Sequence, residues 1–386
     1  MEHIVVLGAG VGGTMTANML RRRLDRTEAE ITVVDKSTEH AYQPSFYLLP
    51  FEYMEPEDQF RDVDGLLRSG VDFAHDEVTG VDPEEKTVAL GDGTLSYDYL
   101  VVALGHRLAP ETTPGMLEGW EETDAVYPFY DFEAAMGLRD ALADFEEGTF
   151  VVSVPETSIK CGGAPLKMTM LAEDYFRRQG VRDDVEVVMT KGSDAVFGVS
   201  PYREKLEEIW AERDIQANLG FEVDEIDHEA QVIHSTDGDT QEYDLYAPVP
   251  PQYGQPALTE NSPLTDGEYV TVDKHTLQHT EYPDVFALGD GADTPNAKTA
   301  AAARKQSHVV LDNLTAHIEG GRLTAEYDGY AACPLLTKKG KAMVAEFDYE
   351  ESISAPVESR MNWIMDVNVL PSVYWNTWLR GYDPLP

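Results

Sequence analysis

An α/β protein carrying two Rossmann-like units is predicted by three features of the sequence. The stretch VVLGAGVGG at 5–13 sets a glycine loop between an apolar strand and a helix. A second apolar strand opens TFVVSVPETSIKCGGAP at 149–165 and starts another α/β run, with no second glycine loop after it. The chain then returns to a strand and glycine turn in DVFALGDGAD at 284–293. Short β-branched runs ended by glycine mark buried parallel strands, and helical stretches between them are the crossovers that such strands need.

The first unit is the most explicit. Residues 3–9 read as a buried strand, followed by a helix from Thr14 to about Leu24 whose last turn carries Arg21, Arg22 and Arg23, where the helix dipole favours cations. A second strand in ITVVDKS, 31–37, ends at Asp35. Gly8, Gly10 and Gly13 have the GxGxxG spacing: the first permits a tight turn, the second admits a pyrophosphate against the backbone, and the third lets helix and strand approach. N–H groups at the helix start would hold the phosphates. Asp35, 22 residues after Gly13, is placed to accept from ribose hydroxyls, with Lys36 beside it. A bound dinucleotide follows from strand, helix and acid together.

Beyond this unit, residues 71–104 read as short strands with a turn at Gly91-Asp92-Gly93, closing on YDYLVVALG at 97–105. Helices are expected near 131–145, 166–179 and 201–216, strands at 149–154 and 185–190, and hairpin-like strands around 221–245 turning at Asp237-Gly238. The Pro-rich stretch 247–258 reads as a connection between domains, and a helix is expected over 299–318. Strands run to about Tyr349, followed by an aromatic tail.

Composition narrows the function. Against 29 Lys plus Arg stand 71 Asp plus Glu, a net charge of −42 that would repel nucleic-acid phosphates. The acids are spread along the whole chain, which reads as a surface adapted to high salt. No cleavable signal peptide is recognised, no apolar run reaches the ~20 residues of a membrane span, and the ten histidines show no metal spacing. The two cysteines, Cys161 and Cys333, are too few for a disulfide framework; if paired they close one very long loop, as a catalytic pair would.

YDYLVVALG, containing Gly105, and VFALGDGAD, containing Asp290, resemble the second and C-terminal flavin motifs of the two-dinucleotide-binding-domain flavoproteins, which have the glutathione-reductase-like fold. Within that superfamily, KCGGAPLK at 160–167, PNAKTAAAARKQSHVVLDNL at 295–314 and Cys333 resemble the sulfide:quinone oxidoreductases. The resemblance covers most of the chain. It implies FAD as cofactor, with Asp290 at its ribityl or phosphate region and Lys298 stabilising negative charge on the reduced ring. It divides the chain into a discontinuous FAD-binding domain (1–110 and 280–325), a second Rossmann-like domain carrying Cys161 (111–279) and a C-terminal region carrying Cys333 (326–386). One departure stands out: 124–135 holds no third cysteine, as some members do, so the chain falls with the two-cysteine members.

The implied chemistry is oxidation of sulfide to sulfane sulfur or polysulfide through Cys161 and Cys333, with electrons passed by FAD to a membrane quinone. Hydrosulfide attack on a disulfide leaves a persulfide on one cysteine and a thiolate on the other. The resemblance places Cys333 nearer the flavin. Of the 12 lysines, Lys160, Lys167, Lys338, Lys339 and Lys341 lie within eight residues of a cysteine, a local positive field that favours thiolate.

Three of the five tryptophans, Trp363, Trp375 and Trp378, fall in the last 24 residues, and positions 363, 367, 370 and 374 share a helical face that Pro371 is expected to break or kink. Such a segment fits either a membrane interface or the protein's own core. The resemblance favours peripheral attachment at the cell membrane, on a face left open, beside a quinone pocket with Phe46, Tyr47, Trp363 and Trp375 as candidates. A homo-oligomer is compatible. The alternatives are a type II NADH:quinone dehydrogenase, which needs the missing second glycine loop, a flavocytochrome c sulfide dehydrogenase subunit, and a non-enzymatic flavin-binding redox sensor.

Overall fold

The structure, a computed structural model, describes residues 1–383. Ile4, Val5, Val6 and Leu7 are fully buried, so the strand Glu2–Leu7 has no solvent face and lies at the centre of its sheet. It pairs in parallel with Ala29–Asp35 on one side and Tyr99–Val102 on the other. Asp72–His75 and Val285–Ala287 add the two outer strands of this five-stranded parallel sheet. The helices Val11–Arg23 and Ala300–Ile318 pack against each other beside it. The chain leaves the central strand in opposite directions, so the loops after Leu7 and after Val102 part at the carboxyl edge and open a crevice between them.

A second parallel sheet orders Gln216–Leu219, Val185–Lys191, Gly148–Val154 and Leu245–Pro248. The helix Ala164–Gln179 follows Gly148–Val154 and packs on the strand Ala331–Lys338, which pairs antiparallel with Lys341–Phe347. Hence the loop bearing Cys161 and the hairpin bearing Cys333 meet at one helix. Two three-stranded antiparallel sheets, within 78–96 and 223–242, complete the strands expected there.

Three expectations change. The first helix begins at Val11 with Gly10 as its cap, because the glycine loop itself supplies the first turn. The segment 256–279, assigned above to the second domain, sends Leu258, Leu264, Val270, Val272 and Leu277 into the first core. The tail is not broken at Pro371. A helix over Arg360–Ile364 continues through a π-helical turn, Met365–Val369, into Leu370–Asn376, and Pro371, which has no N–H to give to that run, directly follows the wide turn.

The tail tryptophans face inward. Trp375, Trp378 and Tyr374 join the first core, while Trp363 and Val367 join the second. The large apolar side chains left exposed there are Ile353, Val357, Met361, Ile364 and Met365, with Tyr382 further on. Among the described residues, no helix is long and apolar enough to cross a membrane.

Candidate active site

Cys161 and Cys333, 172 residues apart in sequence, bring their sulfurs to 3.7 Å as free thiols. Close approach depends on Gly163, where a Cβ would run into Cys333 Sγ and come within 2.8 Å of Leu335 Cδ2. Cys161 itself takes a left-handed backbone, φ +52°, which a side chain rarely adopts. The conformation is over-determined. Its N–H donates to the Lys298 carbonyl at 2.6 Å, its carbonyl accepts from Ala164 N–H at 2.7 Å, and the Tyr130 hydroxyl bonds the carbonyls of Lys160 and Cys161 at 3.0 and 3.2 Å.

Of the five lysines near the cysteines in sequence, one reaches sulfur. Lys167, three residues into the helix that starts at Ala164, is buried and places Nζ 3.4 Å from Cys161 Sγ and 3.9 Å from Cys333 Sγ. The other four do not; Lys341, for instance, pairs with Glu358. The Cys333 thiol donating to Cys161, together with the Lys167 ammonium, holds the Cys161 thiol well below its ordinary range against the effect of burial. Cys333 is pushed up, first by that same hydrogen bond and then by burial. The pair therefore holds one thiolate and one thiol.

Behind Lys167 lies a polar pair that the sequence reading missed in part. Nζ sits 4.0 Å above the Tyr47 ring, and the Tyr47 hydroxyl donates to Asp366 Oδ2 at 3.2 Å. Asp366 is buried on the π-helical turn, and burial lifts its carboxyl to about 6 with Lys167 opposing. Asp366 lies on the same helical face as Trp363, Val367 and Leu370, an acid among apolar positions.

The glycine loop has the shape of a phosphate cradle. Gly8 has φ +98°, and a Cβ there would lie 2.5 Å from the Ala103 carbonyl oxygen. A Cβ on Gly13 would overlap the Gly8 carbonyl oxygen, whereas Gly10 and Gly105 have open space on their Cβ side. Asp35 accepts from Ala9 N–H at 2.6 Å and from Ser37 N–H at 2.8 Å, which fixes it at the mouth of the crevice. Lys36 points away, to Glu77 at 3.5 Å. Across the crevice, Asp290 occupies a short helical turn at Gly289–Gly291, and Lys298 is buried with its ammonium on the carbonyls of Ala292 and Thr294. Burial lowers Lys298 to about 8, with Asp290 and Asp293 opposing. His106 lies in the same field, its ring 5.2 Å from that of Tyr269. Among the described residues, neither of its nitrogens makes a hydrogen bond of good geometry. Open glycines over a helix start, a carboxylate at a strand end and the buried His106 ring fit a bound dinucleotide, and the Lys298 carbonyl that accepts from Cys161 N–H ties this crevice to the sulfur loop.

The four quinone candidates do not form one group. Tyr47 lies against Lys167, and Trp363 packs edge-on to Tyr53 in the same core. Phe46 turns into a separate small cluster against Phe132. Trp375 stacks near His40 and Tyr42. His40, to which no role was given, links the tail to the glycine loop. Its Nδ1 bonds the Ala9 carbonyl at 2.7 Å and its Nε2 meets the Tyr374 hydroxyl at 2.6 Å. Burial lowers its pKa to about 4, so the ring is neutral and can accept from the tyrosine.

Residues 2–307 match the family of pyridine nucleotide-disulphide oxidoreductases. The chain is 34% identical over 394 residues to a mitochondrial sulfide:quinone oxidoreductase of Dictyostelium discoideum, covering 99% of this chain and 86% of that one. A mitochondrial relative of the same name from Mus musculus is 33% identical, covering 98% and 87%. In fold the chain is similar to the sulfide:quinone oxidoreductase of Aquifex aeolicus, with a TM-score of 0.83 at 20% identity over 99% of this chain and 92% of that one.

Proposed function

The chain belongs to the sulfide:quinone oxidoreductases, FAD-dependent flavoproteins that oxidise sulfide and reduce quinone, and from that premise we propose that Cys161 and Cys333 are the redox pair through which sulfide becomes sulfane sulfur. The observation that carries this reading is the 3.7 Å approach of the two sulfurs beside the Lys167 ammonium. Oxidised, the pair is a disulfide, an electrophile for hydrosulfide. Attack breaks the S–S bond, puts the incoming sulfur on one cysteine and leaves the other as a thiolate within reach of Lys167. A second sulfide removes the carried sulfur as the start of a polysulfide chain.

When bound, FAD takes the two electrons and hands them to quinone. Gly8, Gly10 and Gly13 would hold its pyrophosphate, Asp35 its ribose, and Gly105 and Asp290 its middle, with Lys298 facing the ring; Lys36 is too far turned away to join them. In this reading Lys167 stabilises the thiolate as it forms, while Tyr130 and the Lys298 carbonyl keep Cys161 aimed at Cys333.

Quinone would enter from a membrane to which the protein attaches peripherally, and Tyr47 and Trp363 are the candidates on that side. The attachment is assigned to the exposed Ile353, Val357, Met361, Ile364 and Met365 and not to the buried tryptophans. The acidic surface suits high salt. Anaerobic bleaching of the flavin by sulfide and by NADH, with Cys161→Ser and Cys333→Ser as controls, tests the reading. Bleaching by sulfide that each substitution abolishes is the expected result; bleaching that survives both would refute the pair.

A further inference from the structure

Asp366 is a buried carboxylate that the reading above does not use. An ionised carboxylate in such a place is costly unless its charge is compensated. Its compensation is the Tyr47 hydroxyl at 3.2 Å and the nearby Lys167 ammonium, which lies over the Tyr47 ring. Lys167, however, also sits 3.4 and 3.9 Å from the two sulfurs. One cation therefore faces two anions, the carboxylate and the cysteine thiolate. The groups that bear on Asp366 are Lys167 from the helix Ala164–Gln179, Tyr42 and Tyr47 from the segment before Leu49, and the two cysteines. The π-helical turn that carries it is a local irregularity of the kind found at functional sites.

We propose that Asp366 is a positioning residue for sulfide oxidation, taking the proton of incoming hydrogen sulfide by way of the Tyr47 hydroxyl and releasing Lys167 to the thiolate as that proton arrives. The inference rests on the disulfide chemistry proposed above. With the disulfide closed, Lys167 and Asp366 cancel each other's charge. Hydrogen sulfide enters neutral and gives its proton through Tyr47 to the Asp366 carboxylate. The resulting hydrosulfide attacks one sulfur, the S–S bond breaks, that cysteine bears S–SH, and the other cysteine leaves as a thiolate. Atoms and charge balance: Lys167 is matched first by the carboxylate and afterwards by the thiolate, so the buried site stays neutral throughout. The electrostatics agree in direction, since negative charge on Cys161 raises the carboxyl's affinity for a proton.

The test is the rate of anaerobic flavin bleaching by sulfide at about pH 8 and about pH 6, measured on the full FAD-loaded chain. Hydrogen sulfide ionises near neutrality, so an enzyme that must wait for preformed hydrosulfide loses about tenfold between these conditions, whereas one with its own proton acceptor loses much less. Asp366→Asn should therefore raise the ratio of the pH 8 rate to the pH 6 rate by roughly five- to tenfold over wild type. Asp366→Glu should restore the wild-type ratio. Tyr47→Phe, which removes the hydroxyl and leaves the carboxylate, should raise the ratio as Asn does and carries the test if the Asn variant fails to load FAD. As a readout independent of flavin, alkylation of Cys161 in the reduced protein should begin at lower pH in Asp366→Asn, because Lys167 then serves the thiolate alone. An unchanged ratio in both variants, or an equal loss at both pH values, would overturn the proposal while leaving the cysteine pair standing. Wild-type flavin that sulfide does not bleach would remove both.

Discussion

Lys167→Met removes the ammonium while keeping an unbranched stem over Tyr47, so its effect on the sulfurs is chiefly electrostatic. Two unit charges at the observed 3.4 Å interact by about 5 kcal/mol at an effective dielectric of about 20, or roughly 3.6 pKa units. Opposite charges in proteins usually move a neighbour by about 1–3 units, so the Cys161 titration should rise by about 1–3 units. The sign is fixed by the geometry. The wild-type thiol is held low, so its thiolate persists through neutral pH and is lost only in acid; the variant should lose it before neutrality. The assay is the pH dependence of thiolate ultraviolet absorbance, with alkylation of Cys161 followed by mass in parallel. Cys333→Ala removes the hydrogen bond that is the largest of the lowering influences and should also move the midpoint upward. A shift below about half a unit in Lys167→Met would refute the view that this ammonium governs the sulfur pair.

Gly163→Ala should push the sulfurs apart, because the new methyl lands on Cys333 Sγ and 2.8 Å from Leu335 Cδ2. Slowed disulfide formation with FAD still bound, read by thiol counting after mild oxidation, is the expected outcome. In the reduced protein Asp366 is lifted from 3.8 to about 6, so the folded state binds the extra proton between those values and stability falls as pH rises through them. The stability gained by Asp366→Asn over wild type should accordingly grow by about 2–3 kcal/mol from pH 4 to pH 7, measured by urea unfolding. Replacing Met361, Ile364 and Met365 together by Ser should abolish flotation with liposomes and leave the melting temperature within a few degrees, since all three side chains are exposed.

What was legible in the sequence were features that local chemistry dictates. Gly8, Gly10 and Gly13 between a β-branched strand and a helix admit few other structures, and Asp35 at the next strand end follows from the same unit. The meeting of Cys161 with Cys333 was legible through motif resemblance, not through spacing. Lys167 was visible only as one of five neighbouring lysines; singling it out required knowing where the helix after Gly163 begins, which decides whether the sixth residue after Cys161 turns back onto the sulfur. Asp366 was hidden for a different reason, and Tyr47 was visible only as a quinone candidate. A lone carboxylate in an aromatic tail reads as solvated from its residue type, although its spacing from Trp363 and Leu370 puts it on the apolar face. The tail tryptophans were misplaced because amphipathicity says that one face is apolar, not whether lipid or protein covers it.

The tail also bonds to the opposite end of the chain. The Asn18 amide donates to Leu379 O at 2.6 Å across 361 residues, the Arg22 guanidinium reaches the Gly381 carbonyl, and Tyr374 reaches Ala9 through His40. The first helix of the cofactor loop thus takes several of its partners from residues far downstream, between Tyr374 and Gly381. Docking of that segment and anchoring of the glycine loop are therefore one event, long in sequence separation and slow to form.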